Sequence, residues 1–284
     1  MSIKIKLFGG LGNQMFQFAT AYSIAKSKNI DLYLDLSWFN RSNIHNGFEL
    51  DTVFDIFKKV SFLNNDFNFA SFKLKEFLNK IDITYQIFKE PHFNYSQNIT
   101  KLPNHCFLKG YWQSEAYFKE YKDEIKKIFS FNENLDSVNL KIIDKIYRSN
   151  SASLHIRRGD FLLKKNQNHQ TNLNNYYTKA IRETSKNYDN LKFFIFSDDP
   201  KWVSNNFEIK NEYEVINNNL GKKSYIDMYL MSLCKTNIIA NSTFSWWAGW
   251  LNENENKNIF APKNWFNDKS INTNDLIPKS WIVI

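Results

Sequence analysis

A chain of 284 residues with 17% aromatic residues and a net charge of +8 is too long for one small core, and fits either two domains or one large α/β domain. The charge favours anionic partners, among them nucleotides, nucleic acid and the cytoplasmic membrane face, but the lysines are scattered without a basic-aromatic stripe, which sets nucleic acid aside. Cys106 and Cys234 are far apart and lack a Cys-x-x-Cys or His-rich context, so neither a disulfide framework nor a zinc site is expected and a reducing cytoplasm is. No basic and apolar leader opens the chain and no apolar run approaches the ~20 residues of a spanning helix. The expectation is a cytoplasmic protein, at most peripheral on the inner membrane face.

Ile3 to Phe8 alternates as a strand, Gly9-Gly10-Leu11-Gly12-Asn13 breaks it, and Gln14 to Lys28 carries apolar residues at helical spacing before a second strand-like run, Asp31 to Leu36. Such a βαβ opening predicts a parallel sheet with right-handed crossovers. From about 40 to 105 the pattern weakens into Asn- and Phe-rich segments read as short helices and loops. Phe107 to Trp112 reads as a strand, Ser114 to Phe129 as a helix, and 130 to 150 as a linker between domains 1–140 and 150–284. In the second half, strands at 153–156, 192–197, 237–240 and 258–261 alternate with helices near 172–187, 200–207, 224–233 and 245–251, predicting another doubly wound domain.

Three polar clusters sit where strands end: His155-Ile156-Arg157-Arg158-Gly159-Asp160, then Ser197-Asp198-Asp199-Pro200, then Asn241-Ser242-Thr243-Phe244-Ser245. In open parallel sheets ligands bind beyond the carboxyl ends of the strands, so the three are expected to converge. Arginine occurs at only five positions, 41, 148, 157, 158 and 182, and a guanidinium fork holds a phosphate bidentately where lysine offers a point charge; a structural Arg-Asp pair tying down the loop is the alternative. Adjacent side chains on an extended segment point to opposite sides. His155 and Arg157 are therefore expected to share the ligand-facing side, and Arg158 to turn inward onto a carboxylate or carbonyls.

Gly10-x-Gly12 after the first strand offers backbone N–H groups and a helix N-terminus to an anion, or forms a tight turn. It mimics a dinucleotide fingerprint with Asp35 further on, but the third glycine is missing. Ser242 and Thr243 suit an N-cap as well as a phosphate. Trp246, Trp247 and Trp250 read as core packing rather than sugar platforms. Asp227 lies in an apolar helix, where a buried carboxylate needs a partner: a guanine edge, a backbone amide or a lysine. Asp198 and Asp199 form no Asp-x-Asp metal motif, although two carboxylates in a cleft can still hold magnesium.

GGLGNQMFQ at 9–17, HIRRGDF at 155–161, FSDDPKW at 196–202 and SYIDMYLMSLCKTNIIANSTFSWWAGWL at 224–251 together resemble the bacterial α-1,2-fucosyltransferase family. The resemblance implies a GT-B architecture, two Rossmann-like domains facing a cleft, with the acceptor mainly on the first and GDP-fucose mainly on the second. It further implies that Arg157 clamps the donor phosphates with His155 and Arg158 beside it, and that Asp198, Asp227, Asn241, Ser242 and Thr243 complete the guanine and phosphate ends. Gly10, Gly12, Asn13 and Gln14 would close the cleft from the other domain. Phe161 stands where the motif often carries tyrosine.

The implied reaction inverts the anomeric centre by one displacement and needs a base: Asp160 first, with Asp198, Asp199 and Glu115 in reserve, or Asp160 merely orients an arginine. Fixed cations and helix N-termini would stabilise the leaving phosphate without a metal or cofactor. The expected partners are GDP-fucose and a galactose-terminated oligosaccharide or lipid-linked glycan, in O-antigen or other surface-polysaccharide assembly. A NAD-dependent oxidoreductase, resting on the first βαβ unit alone, and an inactive sugar-binding module are the competing readings.

Overall fold

The computed structural model describes residues 1–40, 45–63, 85–131, 135–159 and 164–284. The chain divides into two compact units, Met1–Asn132 with Asn272–Pro278, and Glu133–Ile271 with Lys279–Ile284. Each is α/β with an all-parallel sheet among the described residues, the class the sequence indicated.

In the first unit, β1 (Ser2–Lys6), β2 (Asp31–Asp35), β3 (Gln86–Lys89) and β4 (His105–Lys109) lie in the order β2-β1-β4-β3. The first helix runs Leu11–Lys28, three residues earlier than its apolar spacing suggested, because Gly10 serves as its N-cap. Its length is buried against β1, with Met15, Phe16, Phe18, Ala19 and Tyr22 fully covered. Two stretches differ from expectation. Ser114–Phe129 is not one helix: Ser114 caps a 3-10 turn at Glu115–Tyr117, Phe118 leaves helical geometry at φ −138° and ψ 8°, and only Lys122–Ile128 is α-helical. Strand β3 falls in the region read as helices and loops, and its exposed edge position removes the alternation that marks a strand.

The second unit begins earlier than the expected 150. Asp136 caps a helix at Ser137–Arg148, inside the stretch read as a linker, and that helix packs on the second unit. Six strands follow: β5 (Asn150–Ile156), β6 (Leu191–Ser197), β7 (Glu212–Ile216), β8 (Thr236–Ile238), β9 (Asn258–Ala261) and β10 (Ile282–Val283), ordered β10-β9-β8-β5-β6-β7. Strands β7 and β10, at the two edges of the sheet, have no counterpart among the expected elements. The order is that of a doubly wound Rossmann sheet, 3-2-1-4-5-6. Right-handed crossovers put the helices Asn174–Asn187 and Pro200–Asn206 on one face and Tyr225–Leu233 and Thr243–Leu251 on the other.

The two faces of β5 differ accordingly. Ala152, Leu154 and Ile156 join Tyr176, Tyr177, Ala180, Phe193 and Ile195 in an apolar core. Ser153 on the opposite face accepts a 2.8 Å bond from Asn237 Nδ2, and Asn252 Nδ2 donates at 2.7 Å to Asn237 Oδ1. Trp246, Trp247, Trp250 and Trp281 form a second buried aromatic cluster, with Trp246 and Trp250 stacked at 6.3 Å between ring centres. No helix of the described residues is long and apolar enough to cross a membrane.

Candidate active site

Chain order reverses between β5 and β8, so the loops leaving these neighbouring strands part in opposite directions and open a crevice at their carboxyl ends. The loop after β5 carries Arg157 and Arg158 just beyond His155; the one after β8 carries Asn241 and Ser242. Because Ile156 pairs with Ser197 in register, the end of β6 brings Asp198 and Asp199 alongside.

The two arginines do different work there. Asp198 Oδ1 accepts the backbone N–H of Arg158 at 2.9 Å while its Oδ2 lies 3.1 Å from Arg157 Nη1. One carboxylate thus ties down the loop and holds one end of the Arg157 guanidinium. Arg158 instead lies over the Trp202 ring, 3.5 Å from its centre, with Nε 3.6 Å from Asp199 Oδ2. Asp199 also caps the helix Pro200–Asn206 by accepting the Trp202 N–H, so Arg158 is tied to that helix. Both carboxylates weighed as magnesium ligands face arginines, and among the described residues no group of three or more His, Cys, Asp or Glu side chains is placed to hold a metal.

Gly159 is part of this clamp, since a Cβ there would collide with Asp198 Oδ2. Gly159→Ala should therefore push Asp198 off Arg157, and misplacing a substrate-orienting group by about 1 Å costs up to roughly 10²-fold in rate. The expected result is a fall in kcat of at least tenfold with a melting temperature close to wild type; unchanged turnover would show that Asp198 does not set Arg157.

His155 is 3% exposed, and its Nδ1 has no hydrogen-bond partner among the described residues. Burial, reinforced by the Arg157 charge, pushes its pKa down to about 3, so the imidazole is neutral. Its ring centre lies 5.8 Å from that of Phe244, beside the first turn of the helix Thr243–Leu251. A buried polar atom without a protein partner calls for one from a ligand or water.

Ser242 caps the same helix, its Oγ accepting the Phe244 N–H and its carbonyl the Trp246 N–H, with Thr243 part-exposed as the first helical residue. Asn241 is a structural support: its Nδ2 donates to the carbonyls of His169 and Trp265. Asp227 sits in the first turn of Tyr225–Leu233, on the same face and at the same edge as Thr243. Burial pushes its pKa up to about 7 against a 2.8 Å bond from Asn219 Nδ2.

In the first unit, β1 and β4 flank the corresponding switch point. Gly9 adopts φ +78°, a conformation that strains any other residue. Gln14 is wholly buried and fully used. Its Nε2 donates to the carbonyls of Gly9 and Gly47, and its Oε1 accepts the Glu49 N–H. Asn13 Oδ1 accepts from Gln113 Nε2 at 2.9 Å, and Gly12 is buried in the helix. Gln14, in the first turn of the helix Leu11–Lys28, thus anchors the segment 47–49. Glu115 lies in a 3-10 turn of this unit. Asp160 and Phe161 lie outside the described residues.

Sequence reasoning missed Trp202, Gln113, Asn139 and Asn219. A tryptophan three residues after Asp199, where a helix first turn folds back, was the available signal for the first; Asn219 closes a run of three asparagines that reads as compositional bias.

The chain matches the profile described as "Glycosyl transferase family 11" over residues 2–284. It is 35% identical to an alpha-1,2-colitosyltransferase of Escherichia coli, covering 100% of this chain and 99% of that protein. It is 36% identical to the O-antigen biosynthesis glycosyltransferase WbnK of Escherichia coli, covering 97% and 98%. Among solved structures it is similar to the fucosyltransferase NodZ from Bradyrhizobium, at 17% identity and a TM-score of 0.43 over 87% of this chain and 92% of that one. The first glycine loop, the arginine pair with its carboxylates and the capped tryptophan-rich helix all lie within an end-to-end match, and the chain belongs to glycosyl transferase family 11.

Proposed function

We propose that this glycosyltransferase moves L-fucose from GDP-β-L-fucose to the 2-hydroxyl of a terminal β-galactose, inverting the anomeric centre, in O-antigen or related surface-polysaccharide assembly. The observation that carries the reading is a set of groups suited to an anion at the carboxyl ends of the neighbouring strands β5 and β8. An arginine paired with Asp198 and a buried imidazole follow β5, and the N-terminus of Thr243–Leu251 follows β8.

Breaking the bond between sugar C1 and the β-phosphate oxygen leaves negative charge on GDP as positive character builds at C1. Preorganised N–H donors at the phosphate stabilise that charge separation. Arg157 and the helix N-terminus supply these without a metal. The acceptor O2 forms the new bond from the opposite face and loses its proton to a carboxylate, for which Asp160 is the candidate. Asp227 reads the guanine. A net charge of +8 suits an acceptor presented on a lipid at the anionic inner leaflet.

A second donor is favoured by one relative's name. Colitose is fucose without its 3-hydroxyl, so the same phosphate and guanine contacts serve GDP-colitose equally.

The test is turnover of GDP-fucose, and in parallel of GDP-colitose, with galactose-terminated acceptors in EDTA, with the product linkage read by NMR. An α-1,2-fucosyl product formed at undiminished rate in EDTA is expected. A 1,3 or 1,6 linkage, or complete loss on chelation restored by magnesium, contradicts the reading. Transfer of colitose alone changes the donor, and the absence of any turnover with intact GDP binding leaves a sugar-binding module.

A further inference from the structure

A buried relay of amides ends on Asp227. Asp136, at the start of the second unit, caps the helix Ser137–Arg148, its Oδ1 accepting both the N–H and the Nδ2 of Asn139 at 3.0 and 2.9 Å. That carboxylate fixes which end of the Asn139 amide is which. Asn139 and Asn219, 0% and 1% exposed, then face each other reciprocally: Asn139 Nδ2 donates to Asn219 Oδ1 at 3.0 Å and Asn219 Nδ2 to Asn139 Oδ1 at 2.9 Å. Asn218 Nδ2 adds a bond to each oxygen. With its own oxygen so engaged, Asn219 turns its remaining N–H to Asp227 Oδ1 at 2.8 Å. Four side chains from two separate segments thus agree on presenting a hydrogen-bond donor to one buried carboxylate on a third.

A donor at that carboxylate decides what it can recognise. An ionised carboxylate offers only acceptors, and a protonated one offers an O–H donor beside an acceptor. The Watson–Crick edge of guanine carries two adjacent donors, N1–H and N2–H, which fit the ionised form. That of adenine carries the N1 acceptor beside the N6 donor, which fits the protonated form.

We infer that the Asn139–Asn219 pair is a positioning device that holds Asp227 ionised and so makes the donor seat select guanine over adenine nucleotides. The inference rests on the proposed reading of Asp227 as the base contact. Burial works against the device by favouring the neutral acid, and the Asn219 bond is what opposes it.

Other charges around this helix are engaged elsewhere. Lys223 of the preceding turn reaches Asp136 at 3.6 Å, and Lys145 and Arg148 of Ser137–Arg148 pair with Glu214 and Asp144. Lys192 of β6 pairs with Glu212 and Glu214. Lys141 and Tyr147 are exposed, and the helix Thr243–Leu251 carries no titratable side chain. Tyr225 and Tyr229 share the Asp227 helix.

The experiment is calorimetric titration of the whole protein with GDP and with ADP from pH 6 to 8.5, on wild type, Asn219→Ala and Asn139→Ala, with melting curves at each pH. Wild type should prefer GDP by roughly tenfold at pH 8, the ratio of ionised to neutral form for a carboxyl of pKa about 7. The preference should decline as the pH falls through about 7. Asn219→Ala should raise the midpoint of that decline and reduce the preference at pH 7.5 about tenfold, the effect of one pKa unit on the ratio of ionised to neutral carboxyl. Asn139→Ala, one bond further back, should do the same in smaller measure and carries the test if Asn219→Ala does not fold. A wild type that discriminates, with folded variants keeping both ratio and midpoint, overturns the inference alone. A wild type that binds ADP as well as GDP overturns the reading of Asp227 with it.

Discussion

Replacing Arg157 by lysine is expected to lower kcat by about 10²-fold or more, the usual cost of losing a preorganised donor to a developing oxyanion, with little change in melting temperature. Lysine keeps the charge but not the planar fork that Asp198 Oδ2 orients from 3.1 Å, so the ammonium is attracted to the phosphate without being aimed at it. The neighbour behaves oppositely. Arg158 stacks on Trp202 and pairs with Asp199, the cap of the helix Pro200–Asn206. Arg158→Lys should therefore show its loss in thermal stability, with much of the turnover per folded molecule retained. Stopped-time assays and melting curves on the two variants separate these outcomes. Near-full activity in Arg157→Lys beside an inactive, folded Arg158→Lys would reverse the two roles.

Trp246→Ala is expected to destabilise the fold by about 3–5 kcal/mol in denaturant unfolding. The side chain is fully buried, its ring 5.1 Å from Trp247, 6.3 Å from Trp250 and 5.3 Å from Trp281 between centres, and no neighbour on a packed helix face can close so large a void. Donor and acceptor KM of the fraction that stays folded at low temperature should remain near wild type. A stable Trp246→Ala protein with a raised acceptor KM would make the ring a sugar platform instead.

How far the sequence disclosed this structure depended on burial. Strands β5 and β6 are covered on both faces and read as apolar runs, and the helices crossing back over them kept their amphipathic spacing. The helix Ser137–Arg148 did not read, because Val138 and Leu140 are half-exposed while the buried Asn139 is polar, which inverts the usual signal. The run Ser114–Phe129 had helical spacing throughout, but Phe118 leaves helical backbone geometry and splits it. At the site, the positions of the polar clusters followed from strand ends alone. Their pairing did not: Asp198 meets Arg157 only because β5 and β6 are adjacent and in register. Asn219 was hidden in an asparagine-rich composition, and Gln14, counted among the ligand contacts, spends its whole amide on Gly9, Gly47 and Glu49.

The carboxyl edge of the second sheet, at the β5/β8 switch point, is the proposed seat of the guanine nucleotide, and every other assignment depends on it. Backbone hydrogen exchange with and without saturating GDP tests it directly. Slowed exchange is expected in peptides covering 155–159, 225–229 and 241–246. Protection confined to residues 9–14, with none in those three segments, would contradict it and return the nucleotide to the first unit's glycine turn.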